Sequence, residues 1–349
     1  MIEIDGSFGE GGGQLLRYSV ALAALMGEPV RIYNIRAKRD NPGLRPQHLA
    51  AVKFIAQLVK GQVEGLRVGS TEIMFKPTLR RLSGGDYKVD IGTAGSVTLF
   101  LQATLPVLLA SEDKLRMEIK GGTSVPWSPP YHYFEKILIP LFGKTGVKAS
   151  TTLLRHGFYP EGGGVVTVET QPSYPLSGVK LSRSQRISPI EGISYAINLP
   201  CDIANRQASS ARTILETHGF TVNRIEIDCK TPSIGKGTGI VLWATLGDGV
   251  VGGDSIGARG KPAETVGKEA ATSILKSLNA QTPVDPHAAD NLVIYLSLAE
   301  GESFFYTPEL TLHLETALHL CKQIIKSDYT VEKFDNSVKV TIKGIGFKP

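Results

Sequence analysis

The sequence predicts an α+β fold of repeated two-layer units, helices packed on sheets, with a smaller α/β domain inserted into the larger one. Three observations lead there. Apolar segments of helical period alternate with short β-rich segments, often closed by glycine, along the first half of the chain. The stretch 184–276 has a different texture, with strand-like and helical segments of its own. The earlier cadence then resumes at Asp290. The expected organisation is a large domain of 1–183 and 277–349 and an inserted domain of 184–276, because insertion is easy where the two ends of a segment lie close together.

Each element has its own signal. A helix is expected over 14–26, stopped by Gly27 and followed by a strand over 29–35. A second helix is expected over 46–59. Pro46 suits its first turn, and Leu49, Val52, Ile55, Ala56 and Val59 make one apolar face. A third is expected over 96–110, followed by a strand over 115–119 that ends at Gly121-Gly122. A helix over 133–142 leads through Gly143 and Gly146 to a strand over 147–154. The inserted segment should hold strands over 193–199, 224–228 and 239–246 and helices over 205–217 and 262–278. A last helix over 312–325 precedes an alternating strand over 338–342.

Composition bounds the partners. Hydrophobic residues make up 42% of the 349 and charged residues 20%, the balance of an ordinary globular protein. The net charge of +5, from 38 Lys and Arg against 33 Asp and Glu, is compatible with a polyanionic partner without requiring one. The three cysteines, Cys201, Cys229 and Cys321, lie far apart with no C-x-x-C pair. Neither a zinc site nor a disulfide is expected, and a reducing cytoplasm fits. The opening MIEIDGSFGEGGG has no basic region followed by an apolar run, so no signal peptide is expected. The apolar stretch 97–110 is interrupted by Thr98, Gln102 and Pro106 and is too short to span a bilayer, so no membrane partner is expected.

Several segments carry residues suited to chemistry. Gly9-Glu10-Gly11-Gly12-Gly13-Gln14 runs straight into a helix, where glycines admit a close ligand and free N–H groups attract phosphate. Gln14 and Arg17 share a helix face, and Glu10 could hold a divalent metal beside such a phosphate. The spacing matches neither the dinucleotide fingerprint nor the P-loop, so a plain glycine-rich turn stays open. Arg36, Lys38, Arg39, Arg45 and His48 crowd thirteen residues, fitting either a phosphate clamp or a solvated basic loop. Gly121-Gly122-Thr123 with Pro126, Trp127, Pro129 and Pro130 forms a stiff loop near Tyr131 and Tyr133. It reads as a slot for a base or, better on the residues alone, as a crossover packed by its own aromatics. The segment 157–164, GFYPEGGG, either borders a ligand or is a tight bend. Finally, with Thr311 near an N-cap, His313 falls in the first turn of the last helix. The positive helix end disfavours imidazolium there and keeps the ring nucleophilic. Taken alone, a capping or core histidine explains it better; His319, on the polar side, is given no role.

Taken together, IDGSFGEGGGQLLR, IRAKRDNPGLRPQH, GTAGSVTLFLQ, GGTSVPWSPP, GFYPEGGG, DPHAADNL and LHLETA resemble, in order and over nearly the whole chain, the RNA 3′-terminal phosphate cyclase family. The resemblance is weakest between Arg183 and Ser277. It implies three units of two helices on a four-stranded sheet, βαβαββ-like, plus the inserted domain. It also implies an enzyme of the ligase class. ATP adenylates the residue matching His313, AMP passes to an RNA 3′-phosphate, and the 2′-hydroxyl closes a 2′,3′-cyclic phosphate. By motif position, Glu10 would contact a divalent metal (Mg2+ or Mn2+) and phosphate. Arg17, Arg36, Arg39 and His48, with Arg45 beside them, would hold phosphates or the RNA end. Gln102 would bind the nucleotide. Pro129 would form one wall of an adenine slot, and His287, Asp290 and Asn291 would supply the other wall and the ribose contacts. At His287 and Asn291 the chain departs from the Tyr and Gln of bacterial members, which bears on nucleotide preference. Two readings compete with the enzyme: a non-catalytic RNA-binding relative acting in ribosome assembly, and an enolpyruvyl transferase of related fold. The joint presence of His313, Glu10 and the arginine cluster favours the cyclase.

Overall fold

The computed structural model describes residues 1–78 and 82–349. The first sheet is built by β1 (Ile2–Asp5), α1 (Gly13–Met26), β2 (Val30–Tyr33), α2 (Pro46–Leu58), β3 (Gln62–Glu64) and β4 (Ile73–Lys76), with strand order β1-β2-β4-β3. Strands β1 and β2 are parallel, as a helical crossover requires, and the other pairs are antiparallel. The second sheet follows with β5 (Gly85–Asp90), α3 (Val97–Leu108), β6 (Leu115–Gly121), a helical stretch, β7 (Ala149–Arg155) and β8 (Gly164–Thr170). Its order is β5-β6-β8-β7, again with one parallel pair, β5 and β6. That stretch consists of α4 (Tyr131–Tyr133), a π-helical turn (Phe134–Leu138) and α5 (Ile139–Gly143). Pro140 offers no N–H and its ring crowds the carbonyl four residues back. The Ile139 N–H accordingly reaches back five residues to the Phe134 carbonyl.

Strand β9 (Lys180–Leu181) precedes a sheet of separate composition. It is formed by β10 (Ile190–Ile197), α6 (Asp202–Thr217), β11 (Val222–Asp228), β12 (Gly237–Leu246), β13 (Gly249–Ile256) and α7 (Ala263–Ala280), in the order β11-β10-β12-β13. The chain then completes the sheet begun by β9 with α8 (Pro286–Leu298), β14 (Glu302–Thr307), α9 (Leu312–Ile325), β15 (Asp328–Phe334) and β16 (Ser337–Lys343), in the order β15-β16-β14-β9. The fold is α+β, with four mixed four-stranded sheets among the described residues. One apolar core runs through the first, second and β14-containing sheets and their helices, with Leu22, Ile55, Leu101, Leu292 and Leu318 fully buried. A second core, with Ile190, Leu215, Leu242, Val266 and Ile274, lies between the β10–β13 sheet and helices α6 and α7. Ser184 N–H donates to the Gln281 carbonyl, so the chain leaves for this sheet and returns at adjacent points.

Most expected elements appear with ends displaced by a few residues. α2 buries Val52, Ile55 and Ala56 as its periodicity requires. α9 starts after Thr311, whose side chain accepts from the Leu314 N–H. α8, by contrast, is buried on nearly every side and carries no amphipathic period to announce it. No helix among the described residues is long and apolar enough to cross a membrane.

The cysteine expectation fails. Cys201 and Cys229 form a disulfide, with Cα atoms 5.7 Å apart. The reason is topological. The parallel pairing of β10 with β11 sets Tyr195 opposite Asp228, so the residues that follow each strand emerge at the same sheet end. Closing a loop of sequence separation 28 should stabilise the protein by about 3.5 kcal/mol through the unfolded chain. Urea unfolding with and without a strong reductant should show the midpoint falling on reduction. Cys201→Ser with Cys229→Ser should match the reduced protein, and equal midpoints throughout would overturn this role.

Candidate active site

The glycine loop turns the chain into α1. Gly9 and Gly11 take left-handed backbone angles, φ +57° and +58°, which side chains rarely adopt. Gly12 caps α1 with no side-chain acceptor, so the first N–H groups of the helix remain available. A Cβ at Gly13 would run into His48 Nε2, so the missing side chain lets that ring close onto the start of α1. Lys38 Nζ donates to the Gly9 carbonyl at 2.9 Å, and Arg39 donates to Glu10 Oε2 at 2.8 Å. Available helix N–H groups, two arginines and a lysine around one loop form an anion-seeking site.

Six hydrogen bonds and one close approach, between His313 and Glu10, then link eight side chains in one string. From Arg39 and Glu10 the string passes to His313, whose Nε2 lies 3.1 Å from Glu10 Oε2. His313 Nδ1 is 3.0 Å from Gln14 Oε1, and Gln14 Nε2 donates to Asp290 Oδ2 at 2.7 Å. Asn291 Nδ2 donates to Asp290 Oδ1 at 3.2 Å, Gln102 Nε2 donates to Asn291 Oδ1 at 2.6 Å, and Arg17 donates to Gln102 Oε1 at 3.1 Å. Because Asp290 accepts from the Gln14 amide nitrogen, the Gln14 oxygen must accept from His313. That assigns the proton of the neutral ring to Nδ1 and leaves Nε2 as its lone-pair nitrogen.

Electrostatics support a neutral His313. Burial is the largest influence and lowers its pKa; Glu10 opposes this, and Arg17 and Arg39 add to it, for a net shift downward. His48, 3% exposed, is held far lower, at about 3, by burial and then by Arg17, Arg36 and Arg45. Its Nδ1 accepts from the Arg45 N–H at 3.1 Å, so Nε2 carries the hydrogen, buried and without a partner. His48 is thus a neutral donor and not one of the cations. Burial brings Arg17 down to about 10, and its Nε also lacks a partner.

The sequence-derived site residues divide accordingly. Glu10, Gln14, Arg17, Arg39, Gln102, Asp290, Asn291 and His313 meet in the string, and His48 borders it. His287, exposed on the first turn of α8, joins through its carbonyl, which accepts from Asn291 Nδ2 at 2.8 Å. Pro129 is tied to α3 by a 2.7 Å bond from Thr98 Oγ1 to its carbonyl, one turn before Gln102. Arg36 instead closes its own loop on the carbonyls of Asn41 and Gly43, at 2.6 and 3.0 Å, and Arg45 is exposed beside it. Tyr131 and Tyr133 are buried in the core, as the packed-crossover reading has it, while Trp127 stands 96% exposed. The 157–164 segment is a bend: a Cβ at Gly162 would meet the backbone of Thr93 and Ala94. Sequence reasoning missed three supports. Thr316 packs under Gly9, the Tyr18 hydroxyl donates to the Asp290 carbonyl at 3.1 Å, and His319 stacks on Phe8 with ring centroids 4.1 Å apart. Only the placement of Thr316 one turn after Leu312 gave any hint.

Asp290 is pushed up to about 7, first by burial, with His287 and Arg17 opposing. A carboxyl raised above its unfolded value of 3.8 binds its proton more tightly when folded. Its contribution is therefore fully present below pH 3.8 and is lost as pH rises toward 7. Asp290→Asn should remove that loss. The variant should gain stability relative to the parent between pH 5 and pH 8, on the order of 2 kcal/mol. Thermal melts at the two pH values check this, and a pH-independent difference would refute it.

Against known proteins, the model of the family described as RNA 3′-terminal phosphate cyclase matches residues 8–331. The chain is 43% identical over 347 residues to the RNA 3′-terminal phosphate cyclase of Pyrobaculum aerophilum, covering 99% of each chain. It is 45% identical over 360 aligned positions to that of Hyperthermus butylicus, covering 100% of this chain and 99% of the relative. For the protein of the same name from Nitrosospira multiformis the values are 45% over 343 residues, with 98% and 97% covered. The matched span holds the whole string from Glu10 to His313, and the chain belongs to the RNA 3′-terminal phosphate cyclase family.

Proposed function

We propose that this chain converts RNA 3′-phosphate ends to 2′,3′-cyclic phosphates at the expense of ATP, with His313 as its nucleophile. The observation that carries this reading is the placement of His313 Nε2. It is the lone-pair nitrogen of a ring fixed by Gln14, and it faces Glu10 beside the glycine loop. Nε2 attacks the α-phosphorus of ATP, the bond to pyrophosphate breaks, and AMP is held on the ring. An oxygen of the RNA 3′-phosphate then attacks that phosphorus, the N–P bond breaks, and the RNA end carries AMP through a phosphoanhydride. The 2′-hydroxyl attacks the 3′-phosphorus, loses its proton and expels AMP. A bare phosphate would have to expel oxide, so activation by AMP replaces one prohibitive displacement with feasible ones.

The remaining roles follow from chemistry and position. Arg17, Arg39, the α1 N–H groups and the orphaned His48 Nε2–H suit the phosphates, with Gln14 orienting His313. Arg36 and Arg45 suit the RNA end. Gln102, Pro129, His287, Asp290 and Asn291 suit the nucleoside. Among the described residues no three His, Cys, Asp or Glu side chains are grouped to hold a metal ion. Glu10 would be the single carboxylate for Mg2+ or Mn2+, with phosphate oxygens completing the sphere, and the ion would offset phosphate charge. Reading the chain as three βαβαββ-like units with an inserted domain of 184–276 is supported by the shared strand orders and by the separate core of the β10–β13 sheet. The reliance on ATP and RNA supports a cytoplasmic site of action. A non-catalytic ribosome-assembly role would leave the fixed tautomer of His313 without a purpose.

With α-labelled ATP and metal, the protein should take up label through an acid-labile, base-stable phosphoramidate. His313→Ala should abolish labelling and His319→Ala should retain it. Gln14→Ala should slow labelling roughly a hundredfold by releasing the tautomer. Normal labelling of His313→Ala would sink the assignment.

A strand ending in a 2′-deoxynucleotide 3′-phosphate should accept AMP and accumulate in that form, because the ring-closing hydroxyl is missing. An RNA ending in a 3′-hydroxyl should take up nothing. If the deoxy-ended strand never acquires AMP, the proposed order of steps is wrong.

A further inference from the structure

Asp285 joins three separate parts of the chain at one buried carboxylate, 1% exposed. Its Oδ1 accepts from the His287 and Ala288 N–H groups, each at 3.0 Å, and so caps α8. The same oxygen accepts from the Tyr133 hydroxyl of α4 at 2.6 Å. Oδ2 accepts from the Gly252 N–H of β13 at 3.0 Å. Four protein donors on one desolvated carboxylate make a stiff joint, because losing any one leaves buried polarity uncompensated. Strand β13 reaches this depth only because residue 252 is glycine: a Cβ there would run into Ile137 and Tyr133. Asp254, two residues on and hence on the same strand face, places a second carboxyl within electrostatic reach of the same helix end. Its carboxyl is pushed up to about 6, first by burial, with His287 lowering and Asp285 raising it.

We infer that Asp285 is a positioning residue through which the β10–β13 sheet sets the first turn of α8, and thereby the affinity of the site for ATP. This rests on the reading of His287, Asp290 and Asn291 as nucleotide contacts. The mechanical route is short. The His287 N–H is held by Asp285, and the His287 carbonyl holds Asn291, which in turn bonds Asp290 and Gln102. Movement of the joint therefore displaces the proposed base wall and ribose contacts first, whereas α9, which carries His313, makes no bond to Asp285 and is reached only through Asp290 and Gln14.

Asp285→Asn separates this joint from simple capping. The amide oxygen can still accept from the helix N–H groups, but its NH2 then faces the Gly252 N–H, donor against donor. The KM for ATP in self-adenylation should rise about tenfold. Transfer of AMP from pre-adenylated enzyme to an RNA 3′-phosphate should stay within about twofold of the parent. Gly252→Ala, which forces β13 off Tyr133 and Ile137 without touching α8, should raise the same KM, so either variant that folds decides the question. An unchanged KM, or equal slowing of both steps, overturns the inference. His287→Ala is the control for the underlying reading. If it leaves the KM for ATP unchanged, the nucleotide role of α8 fails. If it raises the KM while Asp285→Asn does not, only the link to the β10–β13 sheet fails.

Discussion

The two unlike ends of the Gln14 amide impose an order on everything around them. The nitrogen faces the Asp290 carboxyl and the oxygen faces His313, so donors and acceptors run in a fixed sense along the string. Asn291 and Gln102 continue the pattern, each amide giving through its nitrogen and receiving through its oxygen, until Arg17 closes the end with a pure donor. A glutamate at position 14 would set carboxylate against carboxylate at Asp290, and a leucine would strand two polar groups in a dry site. The fold serves this constraint by bringing the N-terminal ends of α1, α8 and α9 together, with Tyr18 tying α1 to the backbone of α8.

The same crowding explains the local electrostatics. Burial comes first: it keeps His313 and His48 neutral, with the neighbouring arginines adding to the effect, and it alone lowers the basicity of Arg17. A site prepared in this way holds little mobile charge of its own to rearrange when an anion enters. The orphaned His48 Nε2–H and Arg17 Nε are donors already stripped of water, and a phosphate oxygen arriving there would gain bonds without displacing an existing partner.

Local signals carried much of this arrangement. Pro46 at the start of α2, Thr311 before α9 and the glycine loop before α1 mark helix starts through residue chemistry within a few positions, and the sequence shows them directly. α8 was harder, since burial on all sides erases the polar face that periodicity detects. The site divides on the same principle. Glu10, the basic cluster and His313 stand out as residue types in local context, whereas Asp290 and Asn291 entered only through family resemblance. The bonds from Gln14 to Asp290 and from Gln102 to Asn291 cross sequence separations of 276 and 189, which no local pattern encodes. The Cys201–Cys229 bridge was missed for a related reason, since strand pairing, not spacing, brings those thiols together.

The bond between Ser184 and Gln281 means that the β10–β13 sheet hangs from the larger body by a single neck. A neck of this kind makes the sheet separable in topology: cutting it out and joining the ends would require only a short closure and would thread nothing. Energetically it is not separable, because β13 reaches back past the neck through Gly252, which packs on Tyr133 and shares the Asp285 carboxylate with α8. Lineages that acquire, lose or exchange such an appendage would thus keep the architecture of the larger body while inheriting an uncapped or differently strained α8. Sequence drift in the appendage and at the start of α8 should therefore be correlated, although most of the appendage's buried apolar residues form a core of their own.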